Sequence, residues 1–403
     1  MRFLILTQYY PPETGAPQNR LSGLARELKA AGHEVCILTA MPNYPAMEIH
    51  EHYIGKKYVC EQFENIDVHR SWIYVSKNRS VISRLLNYFS FTFSSMFYAG
   101  RIKGNFDYLM VESPPLFLGI SAWWISKRKK AKMVFNVSDL WPESAEKLGV
   151  ITNRTFLKMA TILEEWLYKK AFMVTGQTQG IVADIKKRFP NKTVHWLPNG
   201  VDESIFSFKQ TIDVRKQLQF SESDFLIMYG GIIGLAQGLD VILDAAQLLP
   251  AESKITYLLL GDGPEKKRLQ QRVIDEQITR VKFLELVSRE VVPSYVDAVD
   301  VAVIPLKKMD LFLGAIPSKI FENLALGKPL LLSVDGEARK LFVDEGKAAL
   351  YIEPENSQML AEKSLLLEAN PALVREMGNN GKNYVQTYFM RKKITFDWVS
   401  LLN

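Results

Sequence analysis

G-A-I-P-S-K-I-F-E-N-L-A-L-G-K-P-L-L-L-S, Gly314 to Ser333, reads as a loop, a short helix, a turn and a buried strand. Pro317 and Ser318 suit a helix start, because proline fixes φ and a serine hydroxyl can accept a backbone N–H. Gly327 and Pro329 stop the helix, and Leu330 to Leu332 form an apolar run. Lys319 stands at the N-terminal end, with Glu322 one turn later on the same face. Free N–H groups at a helix start and an ammonium both favour anions, so the arrangement suits a diphosphate. A carboxylate one turn deeper can accept hydrogen bonds from a ribose diol. Spacing alone leaves an equal alternative, an ordinary surface Lys–Glu pair on a packing helix, since such pairs are common and weak.

Outward from this stretch the pattern is α/β throughout. Residues 3–7 form a buried strand, followed by a loop from Tyr9 to Arg20, a helix to Ala31 and a strand from His33 to Thr39. A β-loop-α-β unit of this kind predicts parallel strands and a right-handed crossover. Ligands of such sheets sit beyond the carboxyl ends of the strands, which places the first loop at a binding site. Gly15 there lets backbone approach a ligand, or merely shapes a turn. The strand Lys132 to Val137 runs into S-D-L-W-P-E-S, which makes Asp139 and Glu143 the acidic candidates of the first half. Their plain alternatives are a loop or helix cap for Asp139 and a first-turn helix charge for Glu143.

Polar, irregular sequence from Glu203 to Asp224 reads as a domain junction, and the same grammar then restarts. A strand from Phe225 to Gly230 leads into the glycine-rich loop G-I-I-G-L-A-Q-G, Gly231 to Gly238. A strand ending at Leu260 leads into G-D-G-P, and strands at Val281 to Leu284 and Val299 to Pro305 precede the opening stretch. A last helix, about Asn379 to Leu402, carries Tyr384, Tyr388, Phe389, Phe396 and Trp398, so it is expected to dock and to cross back to the first domain.

The chain has 403 residues, 47% hydrophobic and 23% charged, enough for two cores. Two cysteines, Cys36 and Cys60, make neither a disulfide framework nor a metal site and fit a reducing cytosol. The N-terminus lacks a signal-peptide pattern, and no apolar run is long enough to span a membrane. A net charge of +6 leaves nucleic acid, an anionic membrane surface or polyanionic substrates as partners. No zinc-finger or basic-zipper pattern supports nucleic acid. Arg79 to Lys103, rich in Phe and Tyr and bracketed by basic residues, is either a core helix or an interfacial one. Trp123, Trp124 and Lys127 to Lys130 add a second basic and aromatic segment. His50 and His52 have strand-like spacing, but no metal site is expected there.

The glycine-rich loop, G-D-G-P, the opening stretch, L-P-N-G-V-D and A-L-G-K-P-L-L-L, in this order, resemble the retaining GT-B glycosyltransferases of family 4. The likeness covers nearly the whole chain. S-D-L-W-P-E-S and P-S-K-I-F-E bring it closest to the branch that builds bacterial surface polysaccharides, and within it to N-acetyl-L-fucosamine transferases. The resemblance implies two Rossmann-like domains facing a central cleft. Residues 1–205, with 386–403 returning, would bind the acceptor, and 206–385 the nucleotide-sugar. It implies a UDP-sugar donor, an N-acetylated 6-deoxyhexose such as L-FucNAc, and a polyprenyl-diphosphate-linked saccharide acceptor at the inner membrane surface. Such a protein would be cytoplasmic and peripheral, and would make O-antigen or capsule.

Carried onto this sequence, the resemblance has Lys319 contact the diphosphate beside Pro317 and Ser318, and Glu322 accept from the ribose. Leu284 to Val287, with Leu286 and Val287 foremost, would meet the base; Gly231, Gln237 and Gly238 would lie under the phosphates; and Gly15 would close over the donor. Three departures stand out: Ile232 replaces an arginine, Gln237 a lysine and Gly314 the first of two glutamates. Lys319 then carries more of the load, with Arg20, Lys307 or Lys308 as candidate helpers. No metal or cofactor is expected, and the anomeric centre would react with retention. Asp139 would orient or deprotonate the acceptor hydroxyl, or Asp139 or Glu143 would act as nucleophile in a double displacement. The competing readings are a UDP-sugar 2-epimerase of the same architecture and a non-catalytic assembly partner. A dinucleotide-dependent dehydrogenase is disfavoured, since P-P-E-T-G-A-P-Q-N-R replaces G-x-G-x-x-G after the first strand.

Overall fold

The computed structural model describes residues 1–403 except Pro45, Arg79, Val150, Thr211 and Asn403. The chain divides into two units, one of residues 1–198 and 391–403 and one of residues 199–390. The chain therefore changes unit earlier than the polar stretch from Glu203 predicts, at Pro198–Asn199. The reason is local: the Val201 amide donates to the Phe389 carbonyl (2.9 Å), which holds the P-N-G-V-D segment in the second unit.

In the first unit, eight strands are β1 (Arg2–Leu6), β2 (Glu34–Ala40), β3 (Tyr58–Phe63), β4 (Ile66–Ser71), β5 (Tyr108–Ser113), β6 (Lys132–Val137), β7 (Met173–Gly176) and β8 (Val194–Trp196). They order as β3-β4-β2-β1-β5-β6-β7-β8, parallel except for the β3–β4 hairpin. The strands are apolar runs because both faces are covered. Phe3 and Ile5 point to a cluster with Leu21, Leu24 and Trp398, whereas Leu4 and Leu6 point to one with Phe91, Ile125 and Leu167. Alternation along β1 thus divides the core into two layers.

Several helix bounds differ from the sequence expectation. The first helix spans Ala16–Ala30, four residues earlier than Arg20, because Pro17 fits an N-terminal turn and Gly15 stands just before it. The aromatic helix spans Val81–Tyr98 and tightens into a short turn, Ala99–Arg101. Its expected first residue, Arg79, lies outside the described residues. The expected last helix is two, Pro371–Tyr388 and Arg391–Ser400, broken where the chain changes unit. Phe389 packs 5.0 Å from Phe321 in the second unit, while Trp398 packs 5.9 Å from Phe3 in the first. Phe396, expected to dock, is exposed instead.

The second unit holds β9 (Phe225–Gly230), β10 (Ile255–Leu260), β11 (Val281–Leu284), β12 (Val301–Pro305), β13 (Leu330–Ser333) and β14 (Ala349–Tyr351). The order β11-β10-β9-β12-β13-β14 is parallel throughout. The chain winds outward from β9 to β11 and then returns to the other side of β9. This leaves a switch point between β9 and β12, where the loops beyond the strands diverge and open a crevice.

Candidate active site

Three loops and one helix start meet at the carboxyl edge of the second sheet. The loop after β9 begins at Gly231, whose φ of +141° is glycine territory. The G-D-G turn after β10 zips onto it: the Gly231 amide donates to Leu260 O (2.9 Å) and the Ile233 amide to Asp262 O (2.8 Å). A Cβ on Gly261 would stand 1.9 Å from the Gly231 carbonyl oxygen, so the two backbones touch only because glycine is there. Lys307, just beyond β12, donates its amide to Ala236 O (2.9 Å) and lays its stem against Gly238.

The opening stretch forms the helix Lys319–Ala325, ended by Gly327 at a φ of +74°. Ser318 does not cap it with its side chain. Its backbone is already helical, and the first turn closes from Pro317, whose carbonyl accepts from Ile320 (3.1 Å). Lys319 reaches back across the sheet edge. Its Nζ lies 3.8 Å from the centroid of the Tyr229 ring and 2.6 Å from where a Cβ on Gly231 would be. Burial among uncharged groups pushes the Lys319 ammonium down to a pKa of about 7. The Tyr229 hydroxyl donates to the Ile232 carbonyl (2.5 Å) and so pins the glycine loop over the same ring. Glu322 is half-buried one turn deeper.

The remaining expected donor residues lie along this edge. Gln237 ends a short turn, Leu235–Gln237, with its Oε1 turned back against Gly234. Leu286 follows β11 and is exposed, while Val287 packs on the cluster around Tyr295. Of the three helper cations, Lys307 alone lies beside the glycine loop. Lys308 pairs with Glu353 (2.7 Å), and Arg20 is buried in the first unit against Glu112. Tyr229 went unnoticed in the sequence. A tyrosine on the buried face of a strand must find a partner for its hydroxyl, and that is the signal that could have found it.

In the first unit, Asp139 follows β6 and is half-buried. It accepts from the Ser144 hydroxyl (2.7 Å), and burial holds its carboxyl above the usual carboxylate range. Glu143 is exposed and pairs with Lys147 (2.7 Å), so it stands where a first-turn helix charge stands. Gly15 precedes the first helix in extended backbone, its missing side chain leaving room for Gln18. Two buried carboxylates that sequence reading passed over organise the same edge. Glu112, beyond the middle of β5, accepts from Arg20, from Asn136 Nδ2 (2.6 Å) and from the Ser138 hydroxyl (2.6 Å). Glu13 accepts from the backbone amides of Tyr10, Asn43 and Tyr44, and so ties the loop after β1 to the loop after β2. Among the described residues, no three His, Cys, Asp or Glu side chains gather to hold a metal ion.

The architecture recurs in solved structures along nearly the full length. Sucrose-phosphate synthase of Thermosynechococcus elongatus superposes with a TM-score of 0.77 at 18% identity, covering 99% of this chain and 98% of its own. Anabaena Alr3699/HepE, solved in complex with UDP-glucose, gives 0.72 at 17% identity over 100% and 99%. The two parallel-sheet, Rossmann-like units and these neighbours show the GT-B fold. Residues 15–200 match the glycosyl transferase 4-like domain, and residues 210–384 match the glycosyl transferases group 1 family. The chain belongs to these group 1, family 4-like glycosyltransferases. A protein of Escherichia coli (strain K12) named for colanic acid biosynthesis, the glycosyl transferase WcaI, is 26% identical over 93% of this chain and 95% of its own.

Proposed function

We propose that this glycosyltransferase moves a sugar from a UDP-sugar, with retention of configuration, to a polyprenyl-diphosphate-linked saccharide during surface polysaccharide assembly. The observation that carries the donor side is Lys319. A helix-start ammonium held against the first glycine of a backbone-zipped loop is suited to a diphosphate leaving group. UDP in the complex of the HepE neighbour and the colanic acid name of the E. coli relative support the nucleotide and the pathway class. The sugar we favour is an N-acetylated 6-deoxyhexose such as L-FucNAc, from the likeness of S-D-L-W-P-E-S and P-S-K-I-F-E to that branch.

In this reading Pro317, Ser318 and the loop from Gly231 to Gly238 cradle the diphosphate. Glu322 receives the ribose, and Leu286 and Val287 border the base. As the glycosidic bond breaks, negative charge collects on the departing phosphate, and Lys319 meets it without a metal ion. Asp139, whose raised proton affinity suits a general base, orients and deprotonates the acceptor hydroxyl. Glu143 is left out, because it points to solvent against Lys147. The test is thermal shift and calorimetry with UDP-, GDP- and dTDP-sugars, followed by transfer to a lipid-linked acceptor. Stabilisation by UDP-sugars alone is expected. A UDP-sugar epimerised in the absence of acceptor would overturn the transferase reading.

A further inference from the structure

The helix Val81–Tyr98 buries one face and leaves the other bare. Its inner side packs along the helix Leu118–Lys129, with the Ser95 and Ser121 hydroxyls 2.7 Å apart, while Phe89, at the margin of the outer side, meets Phe117 just before that helix with ring centroids 4.5 Å apart. Its outer side carries Ile82, Leu86, Phe93 and Phe97, which are 71%, 50%, 64% and 74% exposed. At 100° per residue these four fall within one narrow stripe, about 22 Å long at the rise of an α-helix. Exposed apolar residues are ordinary when scattered, but four large ones in register mark a contact surface.

Charge says what that contact is. Neither this helix nor Leu118–Lys129 contains an acidic residue. Arg101 and Lys103 follow the stripe at its C-terminal end, and Lys127, Arg128 and Lys130 end the neighbouring helix, all exposed. Between the two helix ends lies a surface cavity of about 130 Å³, lined by Gly100, Trp124, Arg128 and Lys129. The Arg128 guanidinium stands 4.9 Å from the centroid of the Trp124 ring, an amphipathic pairing suited to a boundary between hydrocarbon and water. A second copy of this face would bring like charges together, whereas an anionic bilayer satisfies both the stripe and the cations.

We infer that the stripe Ile82–Leu86–Phe93–Phe97 lies in the interface of an anionic phospholipid bilayer, with Arg101, Lys103, Lys127, Arg128 and Lys130 on the lipid phosphates. This deepens the lipid-linked acceptor reading, on which it rests for its purpose, by naming the surface that meets the membrane. Binding combines buried apolar area with electrostatic attraction, so it requires both parts.

The test is co-sedimentation of the full chain with phosphatidylcholine vesicles containing about a third phosphatidylglycerol. Expected are binding that weakens with salt, little binding to phosphatidylcholine alone, and a loss of about tenfold or more in Phe93→Ser/Phe97→Ser and in Lys127→Glu/Lys130→Glu. Both variants change exposed residues, and an unchanged circular dichroism spectrum and melting temperature would show each still folded. Absence of vesicle binding, or binding indifferent to both variants, overturns the inference. So does a dimer in sedimentation velocity that Phe93→Ser/Phe97→Ser dissolves, if vesicles are not bound. The two readings fail separately: vesicle binding without UDP-sugar binding sinks the enzymatic one, and UDP-sugar binding without vesicle binding sinks this one.

Discussion

The Lys319 ammonium rests 3.8 Å from the centroid of the Tyr229 ring. The electron-rich ring face and the backbone at Gly231 enclose it beside the loop proposed to cradle the diphosphate. Its pKa of about 7 follows from burial, which disfavours the charged form.

A bound diphosphate favours the charged form, so UDP binding should take up a proton in neutral and mildly alkaline solution. Affinity should fall as pH rises above about 7. Calorimetry in buffers of different ionisation enthalpy reads the proton directly, and a pH-independent affinity would argue against this contact. Lys319→Ala should lower turnover by about 10²- to 10³-fold, the range for loss of one charge-stabilising donor.

The same group has a stability signature. Its folded pKa lies below the unfolded value, so between the two the unfolded chain holds the extra proton and stability rises with pH. Removing the charge in Lys319→Met should therefore raise the melting temperature more at about pH 6 than at about pH 10. Thermal melts at the two pH values decide it.

Gly261→Ala should destabilise the second unit and abolish UDP binding, since the new methyl would overlap the Gly231 carbonyl and φ there is +147°. Gly230→Ala, one residue before the loop, has nothing within 4 Å of the added carbon. It should fold and bind nearly as the parent does. Thermal shift with and without UDP distinguishes them.

Asp139→Asn should lower the rate by about 10²- to 10⁴-fold if Asp139 is the base. Burial raises its folded pKa, so stability falls as pH climbs from the unfolded carboxyl's value through the folded one, and the cost is complete above both. The amide should therefore leave the neutral-pH melting temperature unchanged or higher. A slow enzyme of full stability is the expected outcome, and an unaltered rate would remove Asp139 from the chemistry.

Glu112→Ala should cost about 3–5 kcal/mol, because it leaves the buried Arg20 guanidinium without its carboxylate. Chemical denaturation measures this, and a loss below about 1 kcal/mol would show that the pocket rearranges.

Much of the fold was legible because parallel strands buried on both faces read as apolar runs, and glycine marks the turns between them. The expected strands Phe225–Gly230, Val281–Leu284, Val299–Pro305 and Leu330–Leu332 all fall within two residues of the observed bounds. Helix ends were less legible. Ser318 promised a side-chain cap, but its own backbone is already helical and its side chain makes no capping bond. Of the site, Lys319 was readable from its place at a helix start, and Tyr229 was not, since its importance depends on a neighbour 90 positions away. Glu112 and Glu13 escaped for the same reason. A buried carboxylate declares itself only through donors from other segments.

The helix Arg391–Ser400 belongs to the unit built chiefly of residues 1–198. Trp398 is fully buried there, and the Tyr108 hydroxyl donates to the Leu402 carbonyl. During synthesis the ribosome must therefore deliver the whole second unit before the first can close its core. A chain cut short before Arg391 would keep every residue of the second unit's sheet yet expose apolar surface around Phe3 and Leu24. A premature stop would thus be felt nearly 400 positions upstream, where a protease that recognises unfinished cores would find it.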